Sequence, residues 1–189
     1  MDYCKGIAII LVVAGHYFPA ESPEAWKTIR AIIYTFHMPL FFFASGFFFA
    51  GEPERGIAEL LAKKAARLLI PFATIALVFL LMKLPASLFF DLEHGLNARA
   101  VLNAVLDPVR SHVPLLWFMQ ALFIMFALFA VLRGVCGIPP PIIFALFAVL
   151  SFLKPPAYFS LDSVFRHMQF FCFGYLARRY AAPSSLKTA

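Results

Sequence analysis

The chain has 189 residues, of which 62% are hydrophobic and 14% charged, with 24 Phe, 14 Pro and a net charge of +6. A soluble domain carries roughly 25% charged residues, so the composition excludes an ordinary soluble globule and indicates an integral membrane protein. The basic residues flank apolar blocks instead of forming one stripe, which excludes a nucleic-acid interface and makes them topology signals or anion sites.

Six apolar segments are read as candidate spanning helices, giving an all-α, polytopic transmembrane bundle. The first, Lys5 to Phe18, lies within "DYCKGIAIILVVAGHYFP" and lacks the cleavage site of a signal peptide. Lys5 and His16 stand eleven positions apart, ~1100° of helical rotation, so they share one face about 16 Å apart along the axis. Gly6 and Gly15 beside them allow close approach of a neighbour. Ionisable residues inside a membrane segment point to function, and imidazole suits proton removal from a hydroxyl near neutral pH. For Lys5 the alternative is snorkelling to the cytoplasmic interface. For His16 it is an interhelical hydrogen bond or an outer-interface position.

The second segment, from about Ile29 to Ala50, contains "YTFHMPLFFFASGFFFAG". Pro39 frees the Thr35 carbonyl and favours a kink, with His37 and Ser45 as polar lining of a cavity; close packing of small residues is the competing reading of Ser45 and Gly46. The third, from about Arg67 to Met82, follows "KKAARLLIPF". Lys64 and Arg67 are spaced i, i+3 on one face. They suit either a phosphate group or a positive-inside anchor. The loop from Lys83 to Val113 holds "DLEHGLNARAVLNAVLD", read as a short amphipathic interfacial helix.

The fourth segment is Pro114 to Leu132, with Trp117 at its mouth as a substrate contact or an aromatic-belt residue. The fifth is Ile142 to Phe152, and the sixth Phe165 to Tyr180. Arg166, His167 and Gln169 lie near the outer start of the sixth. Residues 1–182 are taken as one transmembrane domain and residues 183–189 as a flexible tail. With both termini cytoplasmic, nine Lys and Arg flank the inner side against six outside, the sense of the positive-inside rule. Cys4, Cys136 and Cys172 are scattered without metal-ligand spacing, so they read as packing residues and no metal is expected.

Taken in order, "DYCKGIAIILVVAGH", "FHMPLFFFASGFFF", "KKAARLLIPF", "LLWFMQALF" and "FFCFGYLARRY" resemble the membrane acyltransferase 3 family, bacterial O-acyltransferases of cell-envelope glycans. Lys64 stands where that family more often has arginine. The resemblance implies an inner-membrane enzyme. It takes an acyl group, usually acetyl, from cytoplasmic acyl-CoA (acetyl-CoA) as co-substrate and delivers it to a hydroxyl of a glycan or lipid-linked saccharide. By motif match His16 is the catalytic base, and Lys5, Lys64 and Arg67 contact CoA phosphates. His37, Ser45 and Trp117 are candidate substrate contacts. The family bundle is larger than six helices, so the chain is expected to be its N-terminal part. The alternatives are a non-catalytic membrane protein, such as a transporter-like fragment or inactive remnant, and an intramembrane protease built on Ser45. No internal repeat of the transporter kind is visible.

Overall fold

The computed structural model describes residues 10, 14–15, 17, 23–53, 56–86, 102, 105–107, 116–153, 155–156 and 158–181. The described residues are helical, without strands. Five α-helices follow in order: α1 Glu24–Phe49, α2 Ile57–Ala86, α3 Trp117–Gly134, α4 Pro140–Leu150 and α5 Leu161–Leu176. A 3₁₀ turn, Tyr158–Ser160, leads into α5, and a π-turn, Ala177–Ala181, continues it. Two of these helices, α1 and α3, are long and apolar enough to cross a membrane. Most of the expected first helix and of the expected interfacial helix lies outside the described residues; Ile10, Ala14 and Gly15 of the former and Leu102, Val105 and Leu106 of the latter are helical.

Helix α1 begins after Pro23, with Glu24 in the first turn bonded to Lys27 at 2.6 Å. The acidic residue there also complements the helix dipole. The helix continues through Pro39. Its buried positions, Ile33, His37, Phe42 and Gly46, recur every four or five residues and form one stripe.

Helix α2 starts ten residues before the position expected from hydropathy. The stretch "AELLAKKAARLL" consists of strong helix formers, so the helix propagates back through the charged residues that a hydropathy boundary excludes. The basic pair Lys64 and Arg67 therefore lies inside a helix rather than at its end. The thirty residues of α2 extend about 45 Å. The eleven residues of α4 extend only about 16 Å, roughly half a bilayer core.

The chain divides into two compact units, residues 1–52 with 170–189, and residues 53–169. In the first unit, α1 meets the C-terminal part of α5 where both carry glycine. A Cβ on Gly46 would overlap the Phe171 carbonyl, and a Cβ on Gly174 would overlap the Phe43 carbonyl. The backbones thus touch directly, the approach that small residues permit between apolar helices. Aromatic pairs surround the crossing: Phe43 with Phe173 at 5.5 Å, Phe49 with Phe171 at 5.9 Å and Phe49 with Tyr175 at 6.1 Å. Such pairs contribute about 0.5–1.5 kcal/mol each beyond area burial.

In the second unit α3 is the central element. Gln120, Ala121, Leu122, Met125, Phe126, Phe129 and Ala130 are all buried, which is too broad an arc for a one-faced surface helix. Helices α2 and α3 are antiparallel: Ile57 lies against Gly134, Lys64 against Phe126, and Phe72 against Leu116. Helix α3 closes with the Cys136 N–H donating to the Val131 carbonyl at 3.1 Å, followed by Gly137 at φ 67°. Glycine enters that left-handed region without a Cβ penalty. Phe147 of α4 meets Phe165 of α5 edge to face at 6.0 Å.

Candidate functional site

His16 and Lys5 lie outside the described residues, but both neighbours of His16 are described and both are tied to α1. The Arg30 Nε donates to the Gly15 carbonyl at 2.8 Å, and the Trp26 Nε1 donates to the Tyr17 carbonyl at 3.1 Å. Trp26 and Arg30 are spaced i, i+4, so they project from one face of α1 and reach the segment together. Gly15 is buried, and a Cβ there would stand 3.2 Å from Ile33 Cγ2 and 3.4 Å from the Tyr34 ring. The Tyr17 ring adds an edge contact to Trp26 at 6.2 Å.

The same turn of α1 positions His37. Its Nδ1 bonds the Ile33 carbonyl at 2.9 Å. A carbonyl only accepts, so Nδ1 carries the proton and a neutral ring has its lone pair on Nε2. Tyr34 meets the imidazole edge to face at 5.0 Å and lies under the Arg30 guanidinium at 5.1 Å. Gly15, Ile33, Tyr34, His37 and Arg30 thus form one connected group. Ser45, two turns further along, donates its hydroxyl to the Phe41 carbonyl of its own helix at 2.9 Å. It sits one residue before the glycine of the helix crossing.

The second unit holds the other expected residues. Lys64 is 5% exposed, with Nζ 4.1 Å from the centre of the Phe126 ring. Arg67 is exposed. Spacing places the pair on one side of α2, but α3 covers the Lys64 position and leaves Arg67 at the surface. Trp117 opens α3, its indole tilted over the His167 ring at 6.0 Å. His167 Nδ1 bonds the Ser163 carbonyl at 2.8 Å. Lys64 and Trp117 are held apart by the nine helical steps from Trp117 to Phe126, about 13 Å along α3.

Beside Trp117 lies a buried polar relay that hydropathy passes over. The Ser160 hydroxyl donates to Gln120 Oε1 at 2.9 Å, and Gln120 Nε2 donates to the Val105 carbonyl at 2.7 Å. Ser160 is fully buried, and it and Phe159 both adopt positive φ, 57° and 55°. Such backbone costs about 1–3 kcal/mol per residue and persists where the surroundings enforce it. Gln120 carries its own sequence signal, an amide in the first turn of an otherwise apolar helix. Ser160 carries none, because its role depends on a contact forty residues away. Arg30 and Trp26 had a weak one, their i, i+4 spacing. Among the described residues, no cluster of His, Cys, Asp and Glu could hold a metal ion.

The chain matches the acyltransferase-domain family model over residues 1–188. It is 30% identical over 182 residues to the nodulation protein NolL of Sinorhizobium fredii, covering 93% of this chain and 47% of that protein. It is 28% identical over 182 residues to NolL of Mesorhizobium japonicum, covering 93% and 46%. The chain thus spans about half the length of these curated relatives. No solved structure matches it significantly. The chain belongs to the acyltransferase 3 family.

Proposed function

We propose that this chain is the acyltransferase part of an integral membrane O-acyltransferase that moves an acyl group, acetyl by preference, from acyl-CoA to a hydroxyl of a cell-envelope glycan. The observation that carries this reading is the family match over residues 1–188. The anchoring of Gly15 and Tyr17 by Arg30 and Trp26 supports it, because a general base must be held within hydrogen-bond reach of its proton. In the proposed reaction His16 takes the proton of the acceptor hydroxyl as its oxygen attacks the thioester carbonyl. A C–O ester bond forms, the C–S bond breaks, and the proton passes to the departing CoA thiolate.

Lys5, Lys64 and Arg67 are assigned to the CoA phosphates at the cytoplasmic side. His37, Ser45 and Trp117 are assigned to the acceptor. The proposed setting is a bacterial inner membrane, with six spans and both termini inside. A non-catalytic membrane protein is the second reading.

The test is acetyl transfer from radiolabelled acetyl-CoA to envelope glycan in membranes of a host lacking its own O-acetyltransferase. Wild-type chain is expected to label the glycan. His16→Ala should lower transfer by about 10²- to 10⁴-fold, the usual contribution of a general base. Normal transfer by His16→Ala would overturn the mechanism. No transfer by the wild-type chain, where a full-length relative transfers, would favour the second reading.

A further inference from the structure

At the far end of the first unit, Arg178 occupies the π-turn that follows α5. It is 5% exposed. Its guanidinium lies over the Phe47 ring, 5.4 Å from the ring centre, and across Gly51 in the turn after α1. A Cβ at Gly51 would overlap the guanidinium, so the seat exists only because that position is glycine. The buried Nε has no hydrogen-bond partner, and Arg178 forms no ion pair among the described residues.

An arginine stays protonated in a protein, so it cannot relieve burial by losing its charge. The Phe47 face attracts the cation but accepts none of its N–H bonds in the guanidinium plane. A buried charge without acceptors is strongly unfavourable. The group whose geometry answers this is an oxyanion, which the guanidinium fork grips in its own plane. Exposed Arg179 follows directly on a neighbouring face of the same turn, and the second positive charge it adds to the region favours a doubly charged phosphate over a singly charged carboxylate. Single-turn π segments inside or ending α-helices often occur at functional sites.

We propose that Arg178, seated on Phe47 and Gly51, is a phosphate-binding site at the junction of α1 and α5. Two sources offer that group: the phosphates of a soluble nucleotide such as CoA, and the headgroup of an anionic lipid. The site is read by binding, so it stands or falls independently of acyl transfer.

The experiment uses the full chain in nanodiscs. CoA, 3′-dephospho-CoA and inorganic pyrophosphate are titrated in phosphatidylcholine discs, and lipid retention is compared by native mass spectrometry in discs containing phosphatidylglycerol. Arg178→Gln removes the cation, and Gly51→Ala fills its seat while keeping the charge. Each is expected to weaken binding of one phosphate class by about tenfold or more, the scale of one charge-assisted contact. Weakened CoA or pyrophosphate binding identifies a soluble ligand, and weakened phosphatidylglycerol retention identifies a lipid. To keep the result independent of variant folding, Arg178→Lys, which keeps a cation in the seat, is measured beside them and is expected to retain more binding than Arg178→Gln. Equal binding by these two variants, or binding unchanged from wild type in Arg178→Gln and Gly51→Ala, overturns the proposal.

Discussion

At the scale of single residues, the decisive contacts are hydrogen bonds from side chains to backbone carbonyls on either side of His16. Arg30 and Trp26 each hold one such carbonyl. A hydrogen bond contributes about 0.5–1.5 kcal/mol to stability, or about 1.5–3 kcal/mol from a charged donor such as Arg30, whereas misplacing a catalytic group by ~1 Å costs about 10²-fold in rate. Arg30→Ala is therefore expected to lower acyl transfer about 10- to 100-fold with a modest loss of thermal stability; steady-state transfer and thermal unfolding on the same preparation check this. Lys64 and Arg67 should separate in a similar comparison. Lys64 is buried against Phe126 while Arg67 is exposed. Lys64→Ala should lower stability by about 1–3 kcal/mol through the lost cation–π contact and stem packing. Arg67→Ala should raise the KM for acyl-CoA and leave unfolding unchanged. An unchanged KM in both variants would remove the pair from the phosphate site.

At the scale of helices, the crossing of α1 and α5 depends on two glycines whose hydrogens face a backbone. Gly46→Ala or Gly174→Ala must push the helices apart, because a carbonyl cannot rotate away as a side-chain tip can. A loss of about 1–3 kcal/mol is expected from overpacking. Gly56→Ala, where an added Cβ meets nothing within 4 Å, is the matched control and should be neutral or slightly stabilising. Thermal unfolding in detergent measures all three. Equal behaviour at the three positions would contradict the close crossing. The sequence offered two readings of Ser45 and Gly46, cavity lining or close packing. The Gly46 contact with Phe171 supports packing at Gly46, while Ser45, bonded to its own helix, keeps both readings.

At the scale of the molecule, the proposed six-span topology puts the end of α3 in the cytoplasm. Cys136 follows that end and is exposed, while Cys172 is buried. In a Cys4→Ser background, a membrane-impermeant maleimide should label Cys136 only after the cells are permeabilised, and Cys172 not at all before denaturation. Labelling of Cys136 in intact cells would invert the proposed orientation. The short α4 is the element on which the span count turns, since about 16 Å of helix does not cross a bilayer core unaided.

The sequence by itself determined the all-helical class, the family and the approximate places of α1, α3, α4 and α5. These depend on apolar runs, prolines and ordered motifs, all local properties of the chain. It erred at the start of α2, where charge marked a boundary for hydropathy but not for a backbone rich in helix formers. Only the tertiary structure decided that α3 buries Lys64 and leaves Arg67 exposed, that Gly46 and Gly174 form one crossing, and that Ser160 bonds Gln120. It also paired Arg30 and Trp26 with the neighbours of His16 and seated Arg178 on Gly51. Each of these joins residues far apart in the chain, and spacing along one helix records only its faces, not the neighbour that will cover them.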